Sequence, residues 1–367
     1  MHSRTPFRLI QFLFILFRLH RLIFKPKNKP SNPKNILVIH QLFLGDTLMT
    51  TYLLSKLRIK FPKANIFNAI PEAFTDLYSS SPYNVKTIGF SVFNWKSFLR
   101  LLKLPKIDIA FVPGDNRYGW TAFAIGAKWI VGHEGDRPKY KNWCFNELIP
   151  YPDNPESLSD IFSDLVEDNN KISFSKEDWL QPKFDKFELP SSDYVLFHVG
   201  CKSKLKSWDS ENWKFLIKYF KNKNFNVAIS CGPNESDILK FFDSENYDIS
   251  FYPGNLNLCQ MWELMKNAKL IISLDNGIAH LGKIIGTPTI CLYGPASDIL
   301  YGKGDFFKYS SFYPIIKKIE CRNQNRIFKR DVKWIQTCER LYPSCSNPKC
   351  MKAINVEDVI KVVEKII

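Results

Sequence analysis

With 367 residues, 45% of them hydrophobic and 24% charged, the chain is too apolar to be disordered and too long for one core, which suits an ordinary globular protein of two domains. The formal charge is +15, yet Arg4, Arg8, Arg18, Arg21, Lys25, Lys27, Lys29 and Lys34 supply about half of that excess from a segment with no acidic residue. The charge left over the large body is a weak argument for a nucleic-acid surface, so nucleic acid is set aside as a partner.

The first 34 residues form a segment of their own. The apolar run Phe12 to Phe17 is too short to span a bilayer, and no small-residue cleavage site follows it. On a helical projection Arg4, Arg8, Gln11, Arg18, Arg21 and Lys25 share one side, within roughly 140°, and Phe, Leu and Ile fill the rest. That pattern predicts a basic amphipathic helix over residues 4–25 lying on an anionic membrane surface. A helix docked on the protein's own body and an uncleaved signal anchor are the alternatives. Pro26, Pro30 and Pro33 make the linker that follows.

A first domain is expected over residues 35–180. Ile36 to Ile39 reads as a buried strand, Gln41 to Gly45 as a loop, and the residues after Asp46 as a helix ended by Pro62. Asp46 fits a plain helix N-cap, and Gly45 beside it also permits close approach by a ligand, so cap and functional carboxylate can coexist. Strands are predicted at Ile66 to Ile70, Val85 to Phe90, Ile107 to Pro113 and Lys128 to Gly132, alternating with helical segments near Phe74, Trp95 to Leu102 and Trp120 to Ile125. Alternation of this kind predicts an α/β fold with a doubly wound parallel sheet. A polar surface helix is expected within Asp153 to Lys171, and residues 181–192 have the composition of an interdomain linker.

The second domain is expected over residues 193–354. The strand Tyr194 to Val199 runs into Gly200-Cys201-Lys202-Ser203-Lys204-Leu205-Lys206-Ser207, a glycine at a strand end followed by lysines and serines, which suits a phosphate cradle. Taken alone, the lysines read as solvated loop charges. Val227 to Cys231 is the next strand, and Glu235 in its outgoing turn is either a first-turn carboxylate or an acceptor for ribose hydroxyls. The stretch Lys269 to Pro295 then gives strand, tight turn Asp275-Asn276-Gly277, helix Ile278 to Ile285 and strand Thr289 to Tyr293. A turn at the carboxyl end of a parallel strand is where open α/β sheets bind ligands, and a helix start there suits an anion, so Asp275 and His280 are expected beside a phosphate. No Gly-x-Gly-x-x-Gly and no Walker lysine motif occurs, which argues against dinucleotide oxidoreduction and P-loop hydrolysis. Residues 355–367 read as an amphipathic helix. Five of the nine cysteines are scattered in mostly apolar company. Cys321, Cys338, Cys345 and Cys350 crowd the C-terminal quarter without paired C-x-x-C spacing, so zinc is a minority reading and no metal is expected.

Three separated stretches carry a family resemblance. Ile36-Leu37-Val38-Ile39 with Leu44-Gly45-Asp46-Thr47-Leu48, His198-Val199-Gly200 through Lys206-Ser207-Trp208 to Trp213, and Asp275-Asn276-Gly277-Ile278-Ala279-His280 with Gly286-Thr287-Pro288 resemble, in order, the motifs of ADP-heptose:lipopolysaccharide heptosyltransferases. The resemblance implies two Rossmann-like domains facing a cleft (the GT-B type), with the last helix packed back across the domain junction. It also implies inverting transfer of a sugar from a nucleotide donor, ADP-heptose, to a lipopolysaccharide-core or other lipid-linked glycan without cofactor or essential metal, at the cytoplasmic face of the inner membrane. It implies Asp46 as general base at the acceptor hydroxyl, and Gly200, Lys206, Glu235, Asp275, Asn276, Gly277 and His280 around the donor. Asn276, Cys201, Lys202 and Lys283 depart from the family's usual residues and weaken the identification of the sugar as heptose. A transferase of the same fold using another nucleotide sugar on a protein or capsule acceptor is the alternative, and a catalytically silent sugar-nucleotide-binding protein the second. Arg117 and Arg137, in the acceptor-side stretch Asp115 to Lys141, suit either an acidic acceptor or plain solvation.

Overall fold

The computed structural model describes residues 3–168, 170–242, 249–341 and 344–367. The chain forms two compact units: the first comprises residues 1–172, 177–182 and 326–334, the second 173–176, 183–325 and 335–367. The reading of 193–354 as one continuous domain is therefore interrupted, because a short hairpin within it folds with the first unit.

The first unit begins with helices α1 (Thr5–Leu16) and α2 (His20–Ile23). It continues with β1 (Asn35–Ile39), α3 (Leu44–Met49), α4 (Thr51–Lys60), β2 (Asn65–Pro71), β3 (Val85–Phe90) and α5 (Trp95–Leu102). Then come β4 (Ile109–Val112), α6 (Gly119–Ile125), β5 (Trp129–His133), β6 (Glu147–Ile149) and α7 (Leu158–Ser163). Its sheet has the order β3-β2-β1-β4-β5-β6 with every pair parallel. Central strands covered on both faces must be apolar throughout, and Ile36 to Ile39 are accordingly buried without alternation. The short β6 escapes sequence reading because its three residues are all half-buried.

Several expectations in this unit change, the single helix expected before Pro62 being two, α3 and α4. The helix α3 starts at Leu44, so Asp46 is a first-turn residue rather than the N-cap, which is Phe43. The stretch 153–171 yields only the six-residue α7, in which every residue but the half-buried Asp160 is buried. The expected polar surface helix is instead a mostly buried one: Ser157 caps it, and Ser159 and Ser163 are small enough to be buried. Asn169 of that stretch, and the first two residues of the N-terminal segment, lie outside the described residues.

The N-terminal segment takes the docked form. Phe7 is buried edge-on against Phe98, and Ile10, Phe14, Ile15 and Leu22 join the same core. Much of the cationic side turns inward: Arg21 donates to the carbonyl of Ala127 at 2.6 Å, and Lys25 to those of Trp143 and Phe145 at 3.2 and 2.7 Å. A second apolar stripe, Leu9, Phe12, Leu13, Leu16, Ile23 and Phe24, is left exposed. Among the described residues no helix is long and apolar enough to cross a membrane.

The second unit contains β7 (Tyr194–His198), α8 (Ser210–Asn222), β8 (Asn226–Ser230), β9 (Ile249–Tyr252), α9 (Leu258–Asn267), β10 (Leu270–Leu274), α10 (Gly277–Ile285), β11 (Thr289–Tyr293) and β12 (Phe312–Ile316). Its parallel sheet runs β12-β11-β10-β7-β8-β9. The chain winds outward from β7 to β9, then returns to place β10 on the other side of β7, so the topological switch lies between β7 and β10. Trp213, Leu216, Ile217 and Phe220 of α8 are buried on this sheet as their spacing predicts. After β12 the hairpin β13 (Arg326–Ile327) and β14 (Arg330–Asp331) belongs to the first unit, while α11 (Lys349–Lys352) and α12 (Val356–Val363) return to the second. Val356, Val359 and Val363 join the core around α8 and β7, so the closing helix packs on the second unit's own core.

Candidate functional site

In the second unit three loops leave the carboxyl ends of the adjacent strands β10, β7 and β8 and converge. The carboxylate Oε2 of Glu235, from the β8 loop, accepts from the backbone N–H of Gly232 at 2.9 Å. It lies so close to Gly200 that a Cβ there would stand 2.2 Å from it and 2.7 Å from the Gly232 nitrogen. Glycine at the end of β7 is thus a condition for this approach. From the β10 side, Asn276 caps α10: its Oδ1 accepts from the N–H groups of Ile278 and Ala279 at 2.9 and 3.2 Å, and its Nδ2 donates to the carbonyl of Gly200 at 3.0 Å. One side chain therefore ties two of the three loops together.

Lys206 turns inward while Lys202 and Lys204 are exposed. Its Nζ lies 2.5 Å from Oδ2 of Asp275 and donates to the Asp275 carbonyl at 3.0 Å. Burial alone would lower the ammonium's pKa; the Asp275 carboxylate outweighs that and holds it above its ordinary value. The pair is fixed at the switch point, with Asp275 nearly buried and Lys206 partly open to solvent.

His280, one turn into α10, is buried against Tyr301 and Phe312, and its Nδ1 has no hydrogen-bond partner. Burial, reinforced by Lys283 and Lys206, pushes it well below the ordinary histidine value, so the ring is neutral at pH 7. Lys283 is itself buried and donates to the carbonyls of Tyr301 and Gly302 at 2.6 and 2.5 Å. The structure thus brings Gly200, Lys206, Glu235, Asp275, Asn276, Gly277 and His280 together. It refines one expectation: two of the first N–H groups of α10 are taken by Asn276, so an anion at this helix start meets the helix dipole and a Lys206 ammonium shared with Asp275 rather than those two donors.

Asp46 belongs to the first unit, half-buried in the first turn of α3 beyond the carboxyl end of β1. Tyr151 is in its electrostatic range: burial first, then Asp136 and Asp46, pushes the phenol up to about 12. Tyr151 packs against His133 with the rings tilted at 50° and their centres 4.7 Å apart, and the Arg330 guanidinium lies 5.3 Å from its ring. Arg330, on the hairpin, is buried and donates to the carbonyls of Glu134, Gly114 and His133 at 2.6, 2.8 and 3.0 Å and to Oδ1 of Asn116 at 2.9 Å. Asp136 completes this floor, accepting from the Asn116 N–H and from Lys141 at 2.8 and 2.9 Å. Arg117 is paired with Asp115 at 2.8 Å and the exposed Arg137 with Asp331 at 3.3 Å. Arg330 and Tyr151 escape sequence reading, because a lone arginine in a polar C-terminal stretch carries no signal of a partner some 200 residues away. Among the described residues no three His, Cys, Asp or Glu side chains group as metal ligands.

Residues 157–324 match the model of glycosyltransferase family 9 (heptosyltransferase). The chain is similar to lipopolysaccharide heptosyltransferase 3 of Escherichia coli K12, at 20% identity over 70% of this chain and 81% of that protein. It is also similar to the lipopolysaccharide core heptosyltransferase OpsX of Haemophilus influenzae, at 25% identity over 71% and 79%. Among solved structures, E. coli heptosyltransferase WaaC with ADP superposes with a TM-score of 0.68 at 16% identity, covering 91% of this chain and all of that one.

Proposed function

We propose that this chain, a glycosyltransferase that carries a family 9 domain, moves heptose from ADP-heptose to a lipopolysaccharide-core or other lipid-linked glycan acceptor. The observation that carries the reading is the convergence of the β7, β8 and β10 loops, with Lys206 held on Asp275 and Asn276 bridged to Gly200. The names of the similar proteins support the choice of donor and acceptor.

In this reading the two units divide the chemistry. A leaving nucleoside diphosphate gains negative charge as its bond to the sugar breaks, and the Lys206 ammonium with the dipole of α10 stabilises that charge. Glu235, held on the Gly232 N–H, accepts from the ribose hydroxyls. The neutral His280 helps line the sugar side. A sugar hydroxyl is a poor nucleophile until a carboxylate takes its proton in the transition state, and Asp46 is the group assigned to that step. Charge is met by protein cations, and no cofactor is required.

We assign the enzyme to the cytoplasmic face of the membrane as a peripheral protein. The exposed stripe of Leu9, Phe12, Leu13, Leu16, Ile23 and Phe24 supports the peripheral attachment, with apolar side chains entering the interface and the exposed Arg4, Arg8 and Lys27 turned to lipid phosphates.

A stability panel of nucleotides and nucleotide sugars, combined with mass detection of product on a heptose-deficient core acceptor, tests the reading. A ligand that binds the folded state alone raises the melting temperature by mass action. ADP and ADP-heptose should do so well above UDP and GDP, and the acceptor should gain one heptose. Preference for UDP or GDP, or an unmodified acceptor, contradicts the assignment.

A further inference from the structure

Behind the N-terminal helices lies a cavity of about 540 Å³, lined by Arg18, Arg21, Lys106, Gly126, Lys128 and Trp129 among others. It sits at the amino ends of β4 and β5, whereas Asp46 follows the carboxyl end of β1 in the same parallel sheet. The two therefore lie at opposite ends of that sheet.

Four cations line the cavity, and among the described lining residues none is acidic. Asp108 pairs with Lys128 from beside it at 2.7 Å and also accepts from the N–H groups of Lys34 and Asn35. The arginines have a structural use: they sit at the carboxyl end of α6, where Arg21 takes the Ala127 carbonyl and Arg18 lies over Gly126. Gly126 has a φ of +93°, and a Cβ there would stand 3.2 Å from Nε of Arg18. A helix end, however, offers only about half a negative charge, which cannot balance two guanidiniums. The excess is felt within the protein, since burial and then Arg18 lower the Arg21 pKa. Arg18 also meets the Phe14 carbonyl and Arg21 the Lys128 carbonyl and the Phe123 ring, and Lys128 is paired with Asp108, but no carboxylate pairs with either arginine among the described contacts, so the concave site is net positive.

The arginines stand in the same segment as the exposed stripe, Arg18 directly after Phe17, which is 79% exposed. We propose that this cavity binds the phosphate of an anionic phospholipid headgroup, with the exposed stripe of the same N-terminal segment seated in the acyl region. The proposal rests on the membrane-surface reading for the source of the phosphate, and the catalytic assignment is independent of it. Arg18 and Lys106 bind the phosphate oxygens, while Arg21 keeps its carbonyl contact and contributes field. A free phosphate ester offers the same chemistry, so source must be distinguished by experiment.

The test is flotation of the full chain with vesicles of phosphatidylcholine alone or with added phosphatidate, with calorimetry of glycerol 3-phosphate under saturating ADP alongside. The wild type should favour phosphatidate vesicles by tenfold or more, roughly the effect of two cations at a lipid surface. Arg18→Gln with Lys106→Gln should abolish that preference. The charge-matched pair Lys27→Gln with Lys103→Gln, exposed and outside the cavity lining, should keep most of it. Lys106→Glu, at an exposed position, should act in the same direction if Arg18→Gln unfolds the helix. Equal losses in both pairs would mean diffuse attraction and overturn the cavity. Binding to neutral and anionic vesicles alike would leave the membrane reading standing and overturn this one. Calorimetric binding of glycerol 3-phosphate without phosphatidate preference would overturn the lipid source, and no vesicle binding at all would overturn both readings.

Discussion

The two units fix their polar groups by different means. In the second unit every group in question sits on a loop or helix start that directly follows a strand, and three adjacent strands bring them together: Lys206 reaches Asp275, Asn276 reaches Gly200, and Glu235 covers Gly200. In the first unit the floor beside Tyr151 is completed by Arg330, which bonds to Gly114 across 216 positions of sequence. A site assembled from strand-end loops is a local construction repeated three times. One that depends on an inserted hairpin is global, and a defect in it should spread through its unit while leaving the other unit's binding intact.

The sharpest break of this comparison is at Asp46. Removing a general base slows transfer by about 10²–10⁴-fold. Asp46→Asn should therefore lose turnover to that extent in a product assay while its melting temperature holds. Retained turnover would remove the base assignment.

Arg330→Met should act on the fold. Truncating one member of a buried charged network is destabilising by about 3–5 kcal/mol, because partners are left unsatisfied. In a unit of this size that lowers the melting temperature by roughly 10 °C. Calorimetric ADP affinity, which the proposed reading assigns to the second unit, should change little below the new transition. A variant that melts like the wild type would show the hairpin to be ornamental.

Lys206→Ala should weaken ADP binding, since a charge-assisted hydrogen bond is worth about 1.5–3 kcal/mol, or roughly 10–100-fold. Asp275→Asn added to it should restore part of the loss by removing the stranded carboxylate.

The smallest effects per residue, and shared by both units, concern histidines. Burial holds His40 and His133 to about 3 and His198 to about 4, and pushes His280 well below its ordinary value. Unfolded histidines bind protons near pH 6.5. Between that pH and the folded values the unfolded chain carries more protons, so stability is full above about pH 6.5 and declines as pH falls towards 4. Each histidine contributes at most about 1.4 kcal/mol per pH unit. Melting at pH 5.5 should be clearly lower than at pH 7.5, and His198→Gln should flatten the dependence. A pH-independent melting temperature would contradict burial in the neutral form.

What the sequence made legible follows the same division. Periodicity located β3 and α5 at their observed bounds because each element packs one recognisable face. The turn at Asp275 and the glycine at Gly200 were readable because strand-end chemistry is local. The hairpin's allegiance was not, since nothing in residues 326–334 encodes which core they will meet. The N-terminal segment was legible in part: the projection showed one cationic side, but with apolar residues around most of the circumference, which apolar stripe faces the protein is set by tertiary packing. Phe7 decides that by fitting against Phe98. The α7 stretch looked polar because composition counts serines as surface residues, whereas Ser159 and Ser163 are buried.

The central claim is that the units divide the work, one seating the diphosphate and the other activating the acceptor. Its most direct test is ADP titration by calorimetry on the wild type, Asp46→Asn and Lys206→Ala side by side. The account predicts equal affinity for the first two and a 10–100-fold loss for the third. Equal binding by Lys206→Ala, or a comparable loss in Asp46→Asn, would contradict it.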